Sequence, residues 1–151
     1  GLWLDATTFF TGPLPEYITK KDFFVYRNGW MDMEMINMAN WLIYSKQTNN
    51  ILLLNTLELL YKYWKQYDYV KNYFIFHMFF RMVTNKYKME WQNVLYYNQI
   101  DSHFLMNELG KTYDIDRIEG IKHLTSIHKL TYKFEKVSVD STADHLTDIC
   151  R

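Results

Sequence analysis

The sequence begins with Gly1-Leu2-Trp3-Leu4-Asp5-Ala6-Thr7, an apolar run that ends in a carboxylate. Such a run is typical of a buried strand, here residues 2–6, with neighbouring strands on both sides. In open α/β sheets, ligands bind at the carboxyl ends of the strands. The run therefore predicts that Asp5 lies at a ligand-binding edge. The alternative is that Asp5 only caps the turn that follows, since Asp is common in turns.

The charge balance of the chain argues against polyanionic partners. Seventeen Lys and Arg residues are matched by 17 Asp and Glu residues. Because the net charge is zero, no overall field attracts nucleic acid or an anionic membrane surface. No nucleic-acid partner is therefore expected.

The length, hydrophobicity and cysteine content predict a globular domain of a reducing compartment. Hydrophobic residues make up 48% of the 151 residues, enough for a substantial core. No apolar run approaches the roughly 18 to 20 residues that a membrane-spanning helix needs. The single cysteine, Cys150, cannot form an internal disulfide. We therefore expect a cytoplasmic protein without a transmembrane segment, and attachment to the inner face of the membrane is left open.

Two further short strands are predicted before residue 50. Residues 23–27 form an apolar run that ends at the turn dipeptide Asn28-Gly29. Residues 40–45 form a second apolar run bounded by polar residues. Both prolines lie in Gly12-Pro13-Leu14-Pro15, which predicts a chain reversal.

Two helices are predicted next. From residue 51 to about residue 67, apolar residues recur at helical spacing, with Asn50 or Asn49 as the N-cap. Asp68 is the predicted N-cap of a second, aromatic-rich helix through about residue 84. We interpret His77, in this second helix, as a core histidine, and a pocket-lining role is the alternative.

The last third of the chain mixes helical and polar segments. Residues 102–109 are predicted to be a helix that ends at Gly110, a typical C-terminal residue of helices. Residues 114–120 are predicted to be a charged loop, and residues 134–151 a polar, helical tail.

The only residues that suggest a catalytic base are Asp32, Glu34 and Glu90, and for Asp32 and Glu34 solvated loop carboxylates are the commoner interpretation.

A second chemically informative stretch is Ile127-His128-Lys129-Leu130-Thr131-Tyr132-Lys133. A neutral imidazole can bind a divalent ion, and ammonium groups can neutralise phosphate oxygens. This spacing is therefore compatible with a metal-bridged diphosphate. A solvated basic turn is the alternative, because lysines are mostly exposed.

Both stretches resemble segments of bacterial capsular polysaccharide synthesis proteins. The first is similar to their Gly-Gly-x-Trp-x-Asp-Ala-Thr segment and the second to Ile-His-Lys-Leu-x-Tyr-Lys. The helix with Tyr73, Phe74 and His77 also has the family form Tyr-Phe-x-x-His. The family is related to sugar transferases whose Asp-x-Asp motif holds a metal and a nucleotide-sugar diphosphate. In this chain Asp5 stands at the first motif position and Thr7 at the second.

The resemblance implies an α/β fold, the C-terminal half of a glycosyltransferase A-type fold with a short sheet and several aromatic-rich helices. Residues 1–133 are then the C-terminal part of the catalytic domain and residues 134–151 its tail. Because the family has a nucleotide-binding half before this segment, we expect the chain alone to be inactive.

The implied activity is transfer of a sugar from a nucleoside diphosphate donor to a capsular or surface glycan. On this interpretation Asp5 and His128 bind a divalent ion, Mn or Mg, while Asp5, Lys129 and Lys133 bind the donor. The alternative function is an inactive interaction or scaffold module of capsule assembly, which Thr7 at the second motif position favours.

Overall fold

The computed structural model describes residues 1–28 and 35–149, with side chains to residue 147. Three residues singled out above, Asp32, Glu34 and Cys150, lie outside the described residues. The chain divides into two compact units. The first unit comprises Gly1–Leu4 and Tyr17–Asn98, and the second comprises Asp5–Glu16 and Gln99–Arg151.

The described residues form a mixed α/β structure with two small sheets, which confirms the predicted class in its coarse form. The strands are β1 (Leu2–Leu4), β2 (Thr8–Phe10), β3 (Phe23–Arg27), β4 (Met38–Ser45) and β5 (Ile127–Lys129). The α-helices are α1 (Glu16–Thr19), α2 (Ile51–Trp64), α3 (Ile75–Lys86), α4 (Lys88–Gln92), α5 (Ile100–His103), α6 (Ile115–Leu124) and α7 (Thr142–Ile149). A 3₁₀ helix covers Leu105–Glu108. The more specific glycosyltransferase A-type fold stays a prediction.

The sheet of the first unit has the strand order β1-β4-β3, and all of its pairs are antiparallel. Strand β3 has the predicted bounds, and β4 begins two residues before the predicted strand. Within the described residues β1 pairs with β4 alone, and Trp3 is 63% exposed. The prediction of a buried first strand with neighbours on both sides was therefore wrong. An apolar composition indicates a strand but does not say how many neighbours the strand has.

The core of the first unit lies between the sheet and the helices. Buried side chains of β3, β4, α2 and α3, among them Val25, Met38, Leu52 and Phe80, form one apolar cluster. Helix α2 begins where predicted because the side chain of Asn50 accepts hydrogen bonds from the backbone N–H groups of Leu52 and Leu53, both at 3.1 Å.

The second predicted helix begins later than expected, at Ile75, and Asp68 is not its cap. The side chain of Tyr63 holds the intervening segment in a turn. Its hydroxyl donates to the carbonyl of Tyr69 at 2.9 Å and accepts from the N–H of Lys71 at 3.0 Å. This pairing of backbone groups with a side chain takes the place of the first helical turn.

The second unit joins the two-stranded antiparallel β2-β5 ribbon to several helices. Its core contains Leu105, Leu109, Ile118, Ile121 and Leu146.

The predicted charged loop at residues 114–120 is wrong, because α6 covers most of it. The Asp114 side chain caps this helix by accepting from the N–H of Arg117 at 3.1 Å. Ile118 and Ile121, three residues apart, face the core.

Gly110 follows the 3₁₀ helix, but it is needed for a different reason from the predicted one. No glycine among the described residues has a positive φ, so Gly110 is not a left-handed helix cap. A Cβ atom at this position would lie 1.9 Å from the carbonyl oxygen of Glu135. The close approach of the 135–137 segment therefore requires glycine here.

Candidate functional site

The β2-β5 ribbon brings the two chemically informative stretches together in the second unit. In its register Thr8 lies opposite Lys129, Phe9 opposite His128, and Phe10 opposite Ile127. The turn at residues 5–7 immediately precedes β2, and the N–H of Leu130 donates to the carbonyl of Thr7 at 2.8 Å. This pairing places the Asp5–Thr7 turn beside Lys129.

Asp5 is held by its near neighbour Thr7. Oδ1 of Asp5 accepts from the Thr7 backbone N–H at 2.8 Å and from the Thr7 hydroxyl at 2.6 Å. These two hydrogen bonds, with a smaller effect of Lys129, lower the pKa of Asp5 to about 2 against the opposing effect of burial. Asp5 is therefore ionised at physiological pH, and its side chain is 45% exposed.

Lys129 completes this cluster. Its Nζ lies 3.2 Å from Oδ1 of Asp5 and 3.2 Å from the carbonyl oxygen of Leu130, and it also donates to the Thr7 hydroxyl. An ammonium group has three donors, so all three are satisfied by oxygens of the chain. We call Asp5, Thr7 and Lys129 the Asp5 cluster.

His128 does not belong to the Asp5 cluster. Adjacent strand residues point to opposite faces of a sheet, so His128 and Lys129 leave β5 on opposite sides. His128 is completely buried, and its Nε2 lies 2.9 Å from the Thr11 hydroxyl. Its Nδ1 has no hydrogen-bond partner among the described residues. Burial, with a smaller effect of Lys122, lowers the pKa of His128 to about 4, so the ring is neutral at pH 7.

Two further residues of interest, Lys133 and Glu90, have surroundings of their own. The Nζ of Lys133 lies 5.4 Å from the centre of the Tyr132 ring, and within the described residues no ion pair joins Lys133 to Asp5. Glu90 belongs to the first unit, where it lines a cavity of 430 Å³ together with Lys20, Lys21 and Asn50. His77, also in the first unit, is buried against the rings of Phe74 and Phe76, as expected of a core histidine.

The residues present do not fit the divalent ion that the resemblance implies. Over residues 1–28 and 35–147, whose side chains the structure describes, no group of three or more Asp, Glu, His or Cys side chains could hold a metal. The two predicted ligands, Asp5 and His128, do not converge, because His128 points away from the Lys129 face of β5. The Thr7 hydroxyl is engaged by Asp5 and Lys129. The metal role of Asp5 and His128 stays a prediction.

Sequence reasoning missed the contribution of two threonines. In the sequence Thr7 is only a departure from the Asp-x-Asp pattern, yet in the structure its hydroxyl links Asp5 to Lys129. Thr11 is the partner of His128 across 117 positions of sequence. The short spacing of Asp5 and Thr7 could have indicated their hydrogen bond, because Asp commonly accepts from the N–H two residues on. No local pattern indicates the pairing of Thr11.

The comparisons with known proteins agree with the resemblance seen in the two stretches. A family model described as capsular polysaccharide synthesis protein matches residues 1–147. The chain therefore belongs to the capsular polysaccharide synthesis protein family. Neither a curated protein nor a solved structure matches it. Among the helices of the described residues, none is long and apolar enough to cross a lipid bilayer.

Proposed function

We propose that this chain forms the donor-binding part of a glycosyltransferase that moves a sugar from a nucleoside diphosphate to a capsular or surface glycan. Family membership supports a role in capsule biosynthesis. The observation that carries the proposal is the Asp5 cluster, in which an ionised carboxylate and an ammonium group from two distant family segments lie 3.2 Å apart.

The two charges suit two parts of a nucleotide sugar. The ammonium group of Lys129 can neutralise the diphosphate, and a charge-assisted hydrogen bond to phosphate can replace one of its present bonds to the chain. The half-exposed carboxylate of Asp5 can accept a hydrogen bond from a ribose or sugar hydroxyl. Lys133, also exposed, is a second candidate for the diphosphate.

Sugar transfer requires positive charge near the departing diphosphate, because negative charge develops there. The bond between the anomeric carbon and the phosphate oxygen breaks, and the diphosphate keeps the electron pair. A bond to the acceptor oxygen forms, and the acceptor proton passes to a base. Lys129 would stabilise the charge that develops on the diphosphate.

The test is calorimetric titration of the full-length gene product with nucleoside diphosphates. Lys129→Met should weaken binding by about tenfold or more, the effect of losing one charge-assisted hydrogen bond. Lys136→Met is the matched control, because Lys136 pairs with Asp144 in the same unit and lies outside the Asp5 cluster. Asp5→Asn should remove most transferase activity. Equal binding by the two lysine variants, or no saturable binding by the wild type, would refute the proposal.

A scaffold function is the second candidate, because the chain itself satisfies all three donors of Lys129. In a scaffold the Asp5 cluster would only fasten the turn at residues 5–7 to β5. Lys129→Met would then lower stability without changing any nucleotide affinity. The same titration combined with a melting curve therefore separates the two functions.

A further inference from the structure

Three oxygens of different kinds surround the ammonium group of Lys129. They are a carboxylate oxygen of Asp5 at 3.2 Å, the carbonyl oxygen of Leu130 at 3.2 Å, and the hydroxyl oxygen of Thr7. Carboxylate, carbonyl and hydroxyl oxygens are also the ligands that hard divalent cations prefer. The oxygens that surround Nζ of Lys129 are therefore of the kinds that bind a cation.

We propose that the ammonium group of Lys129 is the resident cation of the Asp5 cluster, so that the cluster works without a divalent metal ion. The claim that the Lys129 ammonium occupies the cation position rests on geometry alone. The statement that donor binding needs no metal rests in addition on the proposed transferase function.

Charge favours this assignment. Two carboxylates in an Asp-x-Asp motif carry two negative charges, which attract a divalent ion. In this chain the second carboxylate is replaced by Thr7, and Lys129 adds a positive charge, so Asp5 and Lys129 together are neutral. A divalent ion at Asp5 would stand close to the Lys129 ammonium and be repelled by it. The Lys129 side chain is only 20% exposed and has no free donor that would let it swing away at no cost.

The hydrogen bonds of Thr7 strengthen the same arrangement. The Thr7 hydroxyl donates its proton to Asp5 and accepts from Lys129, so it supports an ammonium at this position. A metal ion bound by the hydroxyl oxygen would have to displace Lys129. His128 offers no compensating ligand, because it lies on the opposite face of β5 and is bonded to Thr11.

The experiment is a Mn²⁺ titration of the full-length gene product, in which electron paramagnetic resonance measures the concentration of the free ion. Wild type and Asp5→Asn should bind Mn²⁺ alike, because Asp5 has no place for it. Lys129→Met keeps the aliphatic stem but removes the charge, and should gain a site that binds Mn²⁺ at least about tenfold more tightly than the wild type does. The double variant Lys129→Met, Asp5→Asn should lose this site, and Lys136→Met should not gain one.

Two further tests use the Lys129→Arg variant and a chelator. Lys129→Arg keeps a positive charge and should not gain the Mn²⁺ site, which matters if Lys129→Met folds poorly. Nucleoside diphosphate binding by the wild type should persist in excess EDTA. A Mn²⁺ site in the wild type that Asp5→Asn removes would overturn the proposal, and so would a folded Lys129→Met variant without a new site. The Mn²⁺ titration needs no substrate, so failure of the transferase proposal would leave its result intact.

Discussion

The ammonium group of Lys129 lies 3.2 Å from Oδ1 of Asp5, although the two residues are 124 positions apart in the chain. Asp5 belongs to the turn before β2, and Lys129 belongs to β5. Both strands have only three residues. Because isolated two-stranded ribbons are marginally stable, a polar link beside the ribbon helps to maintain its register. The same link brings the two chemically informative stretches of the family into one place.

The coupling between these two residues can be measured by a double-mutant cycle. For Asp5→Asn, Lys129→Met and the double variant, we expect a coupling free energy of about 0.5 to 1 kcal/mol in urea unfolding, because the pair is partly exposed to solvent. The Lys136 and Asp144 pair, about half exposed on both sides, is the matched control and should couple more weakly. A coupling of several kcal/mol would instead identify the Asp5 cluster as a structural clasp.

His128 should make folding sensitive to acid. Its pKa is about 4 in the folded chain, against an ordinary value of 6.5, because burial disfavours the charged ring. The unfolded chain therefore takes up the proton first. The free energy of unfolding should fall as the pH decreases from 6.5 to 4, by up to about 3 kcal/mol from this group alone.

The measurement is urea unfolding at several pH values for the wild type and His128→Gln. The variant should lose part of the pH dependence in this window. His123→Gln removes an exposed histidine of the same unit and is the matched control. If His128→Gln keeps the full wild-type slope, the buried ring is not responsible for the acid sensitivity.

Gly110→Ala should be strongly destabilising. The new Cβ would lie 1.9 Å from the backbone carbonyl oxygen of Glu135, and this segment is further tied to Gly110 by the Val137 N–H at 2.7 Å. Backbone has to shift to relieve the clash, at a cost of about 1 to 3 kcal/mol or more. The matched control is Gly120→Ala on α6, where no atom lies within 4 Å of the new Cβ. That change should stabilise the helix by about 0.5 to 1 kcal/mol. Equal thermal stability of the two variants would contradict this explanation.

Asn50→Ala should destabilise the first turn of α2. The side chain of Asn50 satisfies two backbone N–H groups that have no partner within the helix. We expect a loss of about 1 kcal/mol in chemical unfolding. Asn49→Ala, an exposed neighbour that does not cap α2, should change stability by less than about 0.5 kcal/mol. The reverse order of the two effects would assign the cap to Asn49.

Local patterns were sufficient for several elements of the fold. Strands β3 and β4 and helix α2 follow from apolar runs and helical spacing that span a few neighbouring residues, and Asn50 was one of two predicted caps. The helix α6 was missed because its charged residues outweighed the spacing of Ile118 and Ile121. The start of α3 was missed because the hydroxyl of Tyr63 holds the preceding turn, an interaction that periodicity does not encode.

The sequence by itself determined the family, through two motifs near the ends of the chain, and it identified Asp5 and Lys129 as residues of chemical interest. Only the tertiary structure decided how these residues are used. The register of β2 against β5 joins Lys129 to Asp5 and turns His128 to the opposite face, where Thr11 binds it. A shift of one residue in that register would exchange the two faces. Strand pairing joins residues more than a hundred positions apart, so the choice between a metal ligand and a buried core histidine depends on contacts that no local pattern contains.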